Sequence, residues 1–285
     1  MKFTVSTYSF GEYMDPKKLG ILGVMDVAKE MGFEGIELVE SEYLKLPDMI
    51  DAIKEHSQRI GLPLVAFDVG ADFTKKECTA TEDEIERVKG LVDLAAELGV
   101  PYMRHDVSYG KFSESSSISF EKALSHMKKG CFEVAEYAKK LGVKTLFENH
   151  GLYIQEHSRV KKLLDEVAHE NFGLLIDIGN FMCADDSPNL AVSELSKYAV
   201  HVHAKDFHYK SSEEFFPGEG WFKTANGNYL RGAVIGHGDA NVYKSLTILR
   251  DSGYNGYVTI EFEGIEDNLK GIKLGLDNLI KMIEV

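Results

Sequence analysis

KKLGVKTLFENH, residues 139–150, holds a helix end, a glycine turn and a strand within twelve residues. Lys139 to Leu141 close a stretch whose apolar residues recur at helical spacing. Gly142 suits the left-handed conformation that ends helices, because it has no Cβ to clash. Val143 to Phe147 then read as a short buried strand, and Glu148 stands at its end. The same order recurs in KEMGFEGIELVE (29–40), QRIGLPLVAFDV (58–69), AELGVPYMRHDV (96–107) and RDSGYNGYVTIEFE (250–263). Five copies of helix, glycine and strand are the mark of repeated β–α units.

Eight strands can be placed on this pattern, at 3–9, 35–39, 63–69, 102–107, 144–149, 173–178, 199–205 and 257–262. They are nearly continuous apolar runs, as expected of strands covered on both faces. Amphipathic stretches such as VMDVAKEMG and CFEVAEYAKKLG fill the gaps. The expected fold is therefore α/β: one (β/α)8 barrel spanning residues 1–285. A doubly wound open sheet is the runner-up, but no Gly-x-Gly-x-x-Gly follows the first strand. SSSIS (115–119) reads as a polar loop into the fourth helix, and residues 207–240 as a long irregular loop after the seventh strand. A loop of that length is often functional.

The bulk numbers exclude several classes. A net charge of −14 disfavours binding to phosphate backbones or anionic membranes, so no nucleic-acid or membrane partner is expected. Cys78, Cys131 and Cys183 are odd in number, far apart and without CxxC spacing, which fits spare thiols in a reducing compartment. The opening MKFTVSTYSF reads as a strand, not a secretory leader, and no apolar run reaches membrane-spanning length. A cytoplasmic location is the expectation.

The chemistry is concentrated at strand ends. Glu148, Asp177, His203 and Glu261 close four successive strands, with spacings of 29, 26 and 58 residues. Each of the first two intervals is about one β–α unit, and the third is one unit plus the long loop. In a barrel such residues converge on the catalytic face. Three carboxylates and one imidazole form a hard, oxygen-rich set. One divalent ion is the implied cofactor: Mn²⁺ suits it first, then Mg²⁺, with Co²⁺ and Zn²⁺ compatible.

The segments ENH, DIGN, HVHAKDF and HGD…GYNGYVTIEFEG resemble the xylose isomerase-like barrel family, whose members include sugar and sugar-phosphate isomerases and epimerases, hydroxypyruvate isomerase and inosose dehydratase. The resemblance covers essentially the whole chain and is strongest from 139 to 264. It implies that Glu148, Asp177, His203 and Glu261 are the metal ligands, with the His-x-Lys-Asp motif singling out His203 over His201. It also implies proton transfer next to a metal-bound carbonyl of a small ketose, with Glu148 and Glu261 as the catalytic acid and base. An inosose dehydratase-like lyase is the alternative on the same site. Endonuclease IV-like phosphodiester cleavage would need more ligands than Glu37 and Asp68 on the first three strands, and a non-catalytic sugar-binding barrel would not need intact ligands. The expected partner is a small carbohydrate, and homo-oligomers are common among relatives. Two departures stand out: Asn180 replaces the histidine many relatives carry after Asp-x-Gly, and Tyr209 stands where some epimerases have arginine.

Each residue also has a plainer reading. Glu148 could cap or pair at a strand end, and Asp177 could cap the next turn. His201 shares a face with His203, and Glu263 shares one with Glu261. His150, Lys205, Trp221, Arg231 and His237 are the expected substrate contacts, against structural readings for each: Lys205 could pair with Asp206, and Trp221 could simply pack the loop. His105, beside Arg104, is a weak candidate for anion binding, and Glu37 a candidate supporting or internal polar group.

Overall fold

The computed structural model describes residues 1–74, 78–109, 119–151 and 153–284. Eight parallel strands close into a barrel: β1 (Lys2–Ser6), β2 (Ile36–Val39), β3 (Leu64–Val69), β4 (Tyr102–His105), β5 (Lys144–Glu148), β6 (Phe172–Asp177), β7 (Ala199–Ala204) and, after a small separate sheet, β11 (Tyr257–Ile260). β1 pairs with both β2 and β11, which closes the ring. Around it lie α1 (Gly20–Met31), α2 (Met49–Ile60), α3 (Cys78–Leu98), α4 (Phe120–Lys140), α5 (His157–Val167), the short α6 (Asn180–Cys183), α7 (Pro188–Leu195), α8 (Val242–Asp251) and α9 (Asn268–Glu284).

The glycine signature has the conformation it requires. Gly32 after α1 and Gly142 after α4 sit at φ 101° and 74°, and Gly61, Gly99 and Gly253 are likewise left-handed. Residues 115–118 of the SSSIS stretch and the Cys78 side chain lie outside the described residues. Ser119 caps α4, its Oγ accepting from the Lys122 amide at 3.3 Å.

Every barrel strand is placed as expected, but most stop one to three residues early at the carboxyl end. There, side chains take over the backbone's hydrogen bonds. Ser6 Oγ accepts from the Tyr8 amide and turns the chain out of β1. Asn149 bonds the Asp177 backbone twice, Nδ2 donating to its carbonyl at 2.9 Å and Oδ1 accepting from its amide at 2.8 Å. The region 207–240 is not irregular throughout. It contains a three-stranded antiparallel sheet of β8 (Asp206–Lys210), β10 (Tyr229–Ala233) and β9 (Phe222–Lys223), with Leu230 opposite Tyr209 and Gly232 opposite Phe207. Its short strands mix polar and apolar residues between Gly, Pro and Asn, so they lack the apolar runs that announce the barrel.

Strand alternation divides the core into two zones. Between strands and helices the packing is apolar, with Phe147 stacked on Phe172 at 5.5 Å between centroids. Inside the barrel it is polar: Thr4 and Thr259 share a 2.6 Å hydrogen bond, and His201 Nε2 lies 2.7 Å from Thr259 Oγ1. On β4 the alternation turns Arg104 to the barrel mouth and His105 to the helix layer. His105 is fully buried against the Phe73 and Phe172 rings, which removes it from any anion site.

His105 Nδ1 donates to the Asp106 carbonyl at 2.8 Å, and its Nε2 makes no hydrogen bond. Burial pulls its pKa down to about 4 from 6.5. As pH falls, the unfolded chain takes up this proton first, so stability is lost from about pH 6.5 and levels off below about 4, a loss on the order of 3 kcal/mol. His105→Phe should lose that component: urea unfolding at pH 7 and pH 4.5 should show a smaller acid penalty in the variant. Equal penalties would refute it.

Candidate metal centre

The four strand-end residues meet in one place. Glu148 ends β5, Asp177 ends β6, His203 lies on β7 and Glu261 directly follows β11. One donor atom from each falls within 4.8 Å of all the others. His203 Nδ1 lies 3.8 Å from Glu148 Oε1, 4.0 Å from Asp177 Oδ2 and 3.7 Å from Glu261 Oε2. An ion about 2.1 Å from each donor fits between atoms so spaced.

The hydrogen bonding is consistent with such an ion. His203 Nε2 hydrogen-bonds Glu37 Oε2 at 3.1 Å, reaching across the barrel to β2. That contact orients the ring and leaves Nδ1, which makes no hydrogen bond, aimed at the three carboxylates. Asp177 Oδ2 also lacks a hydrogen bond, although Lys205 Nζ is 3.2 Å away. Buried polar atoms without partners call for an explanation, and a cation between them supplies one. The donor chemistry, three carboxylates and one imidazole, therefore fits a divalent metal.

The electrostatics reflect crowded negative charge. Burial, opposed by Lys205 but reinforced by Glu148 and Glu261, pushes the Asp177 carboxyl up to about 7. Glu261 behaves oppositely: against burial, Lys205 and His203 hold it well below the usual carboxylate range. Burial would lower His203, but Glu37 and Glu261 hold it well above an ordinary histidine. A metal on Nδ1 would compete with that proton.

Other groups complete the setting. Arg104 pairs with Glu148 and with Asp106, the latter at 2.9 Å. Asn180 Nδ2 donates to Glu148 Oε1 at 2.8 Å, and its Oδ1 accepts from Lys205 Nζ at 3.3 Å. Lys205 does not pair with Asp206. It turns to Asp177, Glu261 and Glu263, while Asp206 accepts four backbone amides, from Phe207, Gly236, Gly238 and Ala240. Above the set opens a cleft of about 410 Å³ whose walls include Tyr8, Arg104, Tyr109, His150, Lys205 and Glu263.

Of the expected substrate contacts, His150 and Lys205 line this cleft, and His150 Nδ1 is held by Asp106 Oδ1 at 2.8 Å. Trp221, Arg231 and His237 are not among its lining residues. Arg231 lies over the Trp221 ring at 5.5 Å, and His237 is exposed. Tyr8 and Tyr109 escaped the sequence reading of this cleft, since a lone tyrosine carries no distinctive pattern; Glu263, weighed there as the rival of Glu261, lines it too.

The Glu37 carboxylate, fully buried and held ionised against burial by His203 and His201, yields a prediction. Glu37→Gln should fold, yet bind divalent ions about ten- to a hundredfold more weakly. Titration calorimetry with Mn²⁺ checks this, and unchanged affinity would show that Glu37 does not position the ligand.

The comparisons with known proteins agree with this architecture. The model of the xylose isomerase-like TIM barrel family matches residues 25–282. An inosose isomerase from Halalkalibacterium halodurans is 24% identical over 249 residues, covering 83% of this chain and 80% of its own. An inosose dehydratase from Clostridium perfringens is 28% identical over 153 residues, 50% of this chain and 48% of its own. A crystal structure described as IOLI protein with a binding zinc atom superposes with a TM-score of 0.78 at 17% identity, covering 99% of this chain and 98% of that one. With a matched model running over nearly its whole length, this chain belongs to the xylose isomerase-like TIM barrel family.

Proposed function

We propose that this barrel is a divalent-metal-dependent isomerase or epimerase that moves a proton beside the carbonyl of a small ketose or polyol ketone. One observation carries the reading: the unpartnered Nδ1 of His203, held by Glu37 from behind, faces Glu148, Asp177 and Glu261 at the base of an open cleft. The curated relative named inosose isomerase supports the same class. We assign Glu148, Asp177, His203 and Glu261 as ligands, with Mn²⁺ the preferred ion and Mg²⁺, Co²⁺ or Zn²⁺ alternatives. When bound, the ion supplies Lewis acidity that makes the C–H next to a substrate carbonyl easier to ionise.

The chain's own residues do the proton work. Around the barrel, β5, β6, β7 and β11 are consecutive neighbours, so Glu148 and Glu261 approach from the outer two of four strands. One carboxylate removes the proton. The other returns one to the same carbon from the opposite face, giving an epimer, or to the neighbouring carbon, giving an isomer. Each glutamate has a cation beside it, Arg104 for Glu148 and Lys205 for Glu261. Arg104, in the cleft wall, also stands ready to receive negative charge developing on substrate oxygens. His150, tied to Asp106, presents a ring at the cleft wall for a hydroxyl.

The test is hydrogen–deuterium exchange. Ketoses and inososes are incubated in D₂O with the metal-loaded protein and read by NMR and mass spectrometry. An exchanging substrate should lose exchange by about 10²–10⁴-fold in Glu148→Gln and in Glu261→Gln. Full activity in either variant would sink the assignment. A product lacking one water would favour the dehydratase reading, which the inosose dehydratase relative keeps open.

A further inference from the structure

Lys205, His150 and Glu263 form a partition rather than an end wall. Beyond them lies a second cavity of about 220 Å³, roughly half the 410 Å³ of the main cleft, and these three residues line both spaces. Its remaining walls differ in chemistry from the metal side. Phe207 and Phe222 meet edge to face at 5.6 Å and form an aromatic corner, with Phe222 partly exposed. Asn180 and Gln155 contribute side-chain amides, and Lys223 stands at the rim. Apart from Asn180, which bonds Glu148 and Lys205, these groups take no part in the metal-compatible set.

From this geometry we infer that the second cavity is a binding subsite for a neutral glycosyl group, so that the substrate is a glycosylated ketose with its keto-sugar in the main cleft. This deepens the proposed function and rests on it. An aromatic edge beside amides suits a sugar ring, whose C–H faces pack on aromatics while its hydroxyls take hydrogen bonds. A phosphate is the competing occupant. The Glu263 carboxylate in the shared wall opposes it, and Lys205 is already committed to Asp177, Glu261 and Glu263. Lys223 alone is a poor anion cradle. The volume of about 220 Å³ accommodates one sugar ring.

The experiment uses the Mg²⁺-loaded protein and four probes: D-fructose, fructose phosphate, and the glucosyl-fructoses isomaltulose and maltulose, which carry glucose at different positions. Affinities are measured by titration calorimetry. At least one glucosyl-fructose should bind about tenfold or more tightly than fructose. Phe222→Ala should erase that advantage, about tenfold, and leave fructose affinity unchanged. Equal affinity for all four, tightest binding of the phosphate, or a Phe222→Ala variant that keeps the advantage would each overturn the inference. The parent reading is scored separately, by C–H exchange into D₂O: absence of exchange despite bound metal defeats the proton-transfer reading, while the affinity ranking still decides the subsite.

Discussion

The hydrogen bond between His203 and Glu37 is the interaction on which the site depends. It runs from His203 Nε2 to Glu37 Oε2 and joins β7 to β2 across the barrel, and both side chains are fully inaccessible to water. A buried carboxylate survives only if it is paired. Glu37 meets that requirement by receiving His203 and His201, the latter at 3.0 Å. The arrangement fixes which nitrogen of His203 is committed and which is available. A ring turned the other way would leave Glu37 with His201 alone in the barrel interior and remove the one nitrogen donor from the carboxylate set. The barrel's polar inner layer and its reactive rim are therefore one construction: Thr4, Thr259 and His201 support Glu37 from below, and Glu37 aims His203 upward.

Charge is balanced locally around that axis. Glu148 pairs with Arg104, while Glu261, Asp177 and Glu263 share Lys205, and Asp177 is the carboxyl that burial and its neighbours drive up. Removing a cation from such a set costs more than a surface ion pair is worth, because the partner charge stays buried. Asn180 fits this economy: its amide donates to Glu148 and its carbonyl accepts from Lys205, bridging the two halves without adding a charge.

The fold was legible because each β–α unit carries its own punctuation: a glycine forced into the left-handed region, then an apolar run. The four convergent residues were legible because each terminates such a run, where barrel topology alone brings them together. What the sequence could not show is pairing between distant strands. Glu37 and His203 are 166 residues apart, and nothing local to either announces the other. Lys205 and Asp206 illustrate the opposite error: adjacent opposite charges suggest an ion pair, but a strand sends neighbours to opposite faces, one to the carboxylates and one to the loop amides. The sheet in 206–233 was missed because its strands pair with each other instead of being buried on both faces, so their composition is that of a loop.

That sheet separates two tasks. The metal-compatible residues sit on or directly after barrel strands, whose backbone is fixed on both sides by parallel neighbours. The aromatic corner sits on β8 and β9; the Asp206 carboxylate gathers amides from both ends of the excursion, and Asp185, just after α6, accepts from Thr224, Asn226 and Asn228 and ties the small sheet to the barrel side. Alternation in the small sheet then sorts its aromatics: Trp221 packs with Arg231, and the next residue, Phe222, turns to Phe207 and the second cavity. A substitution in this excursion alters what lies beside the partition without moving any of the four convergent side chains. Metal-compatible residues on rigid strands and a cavity wall on an appended sheet make a division that would let one barrel keep a reaction while its substrates change.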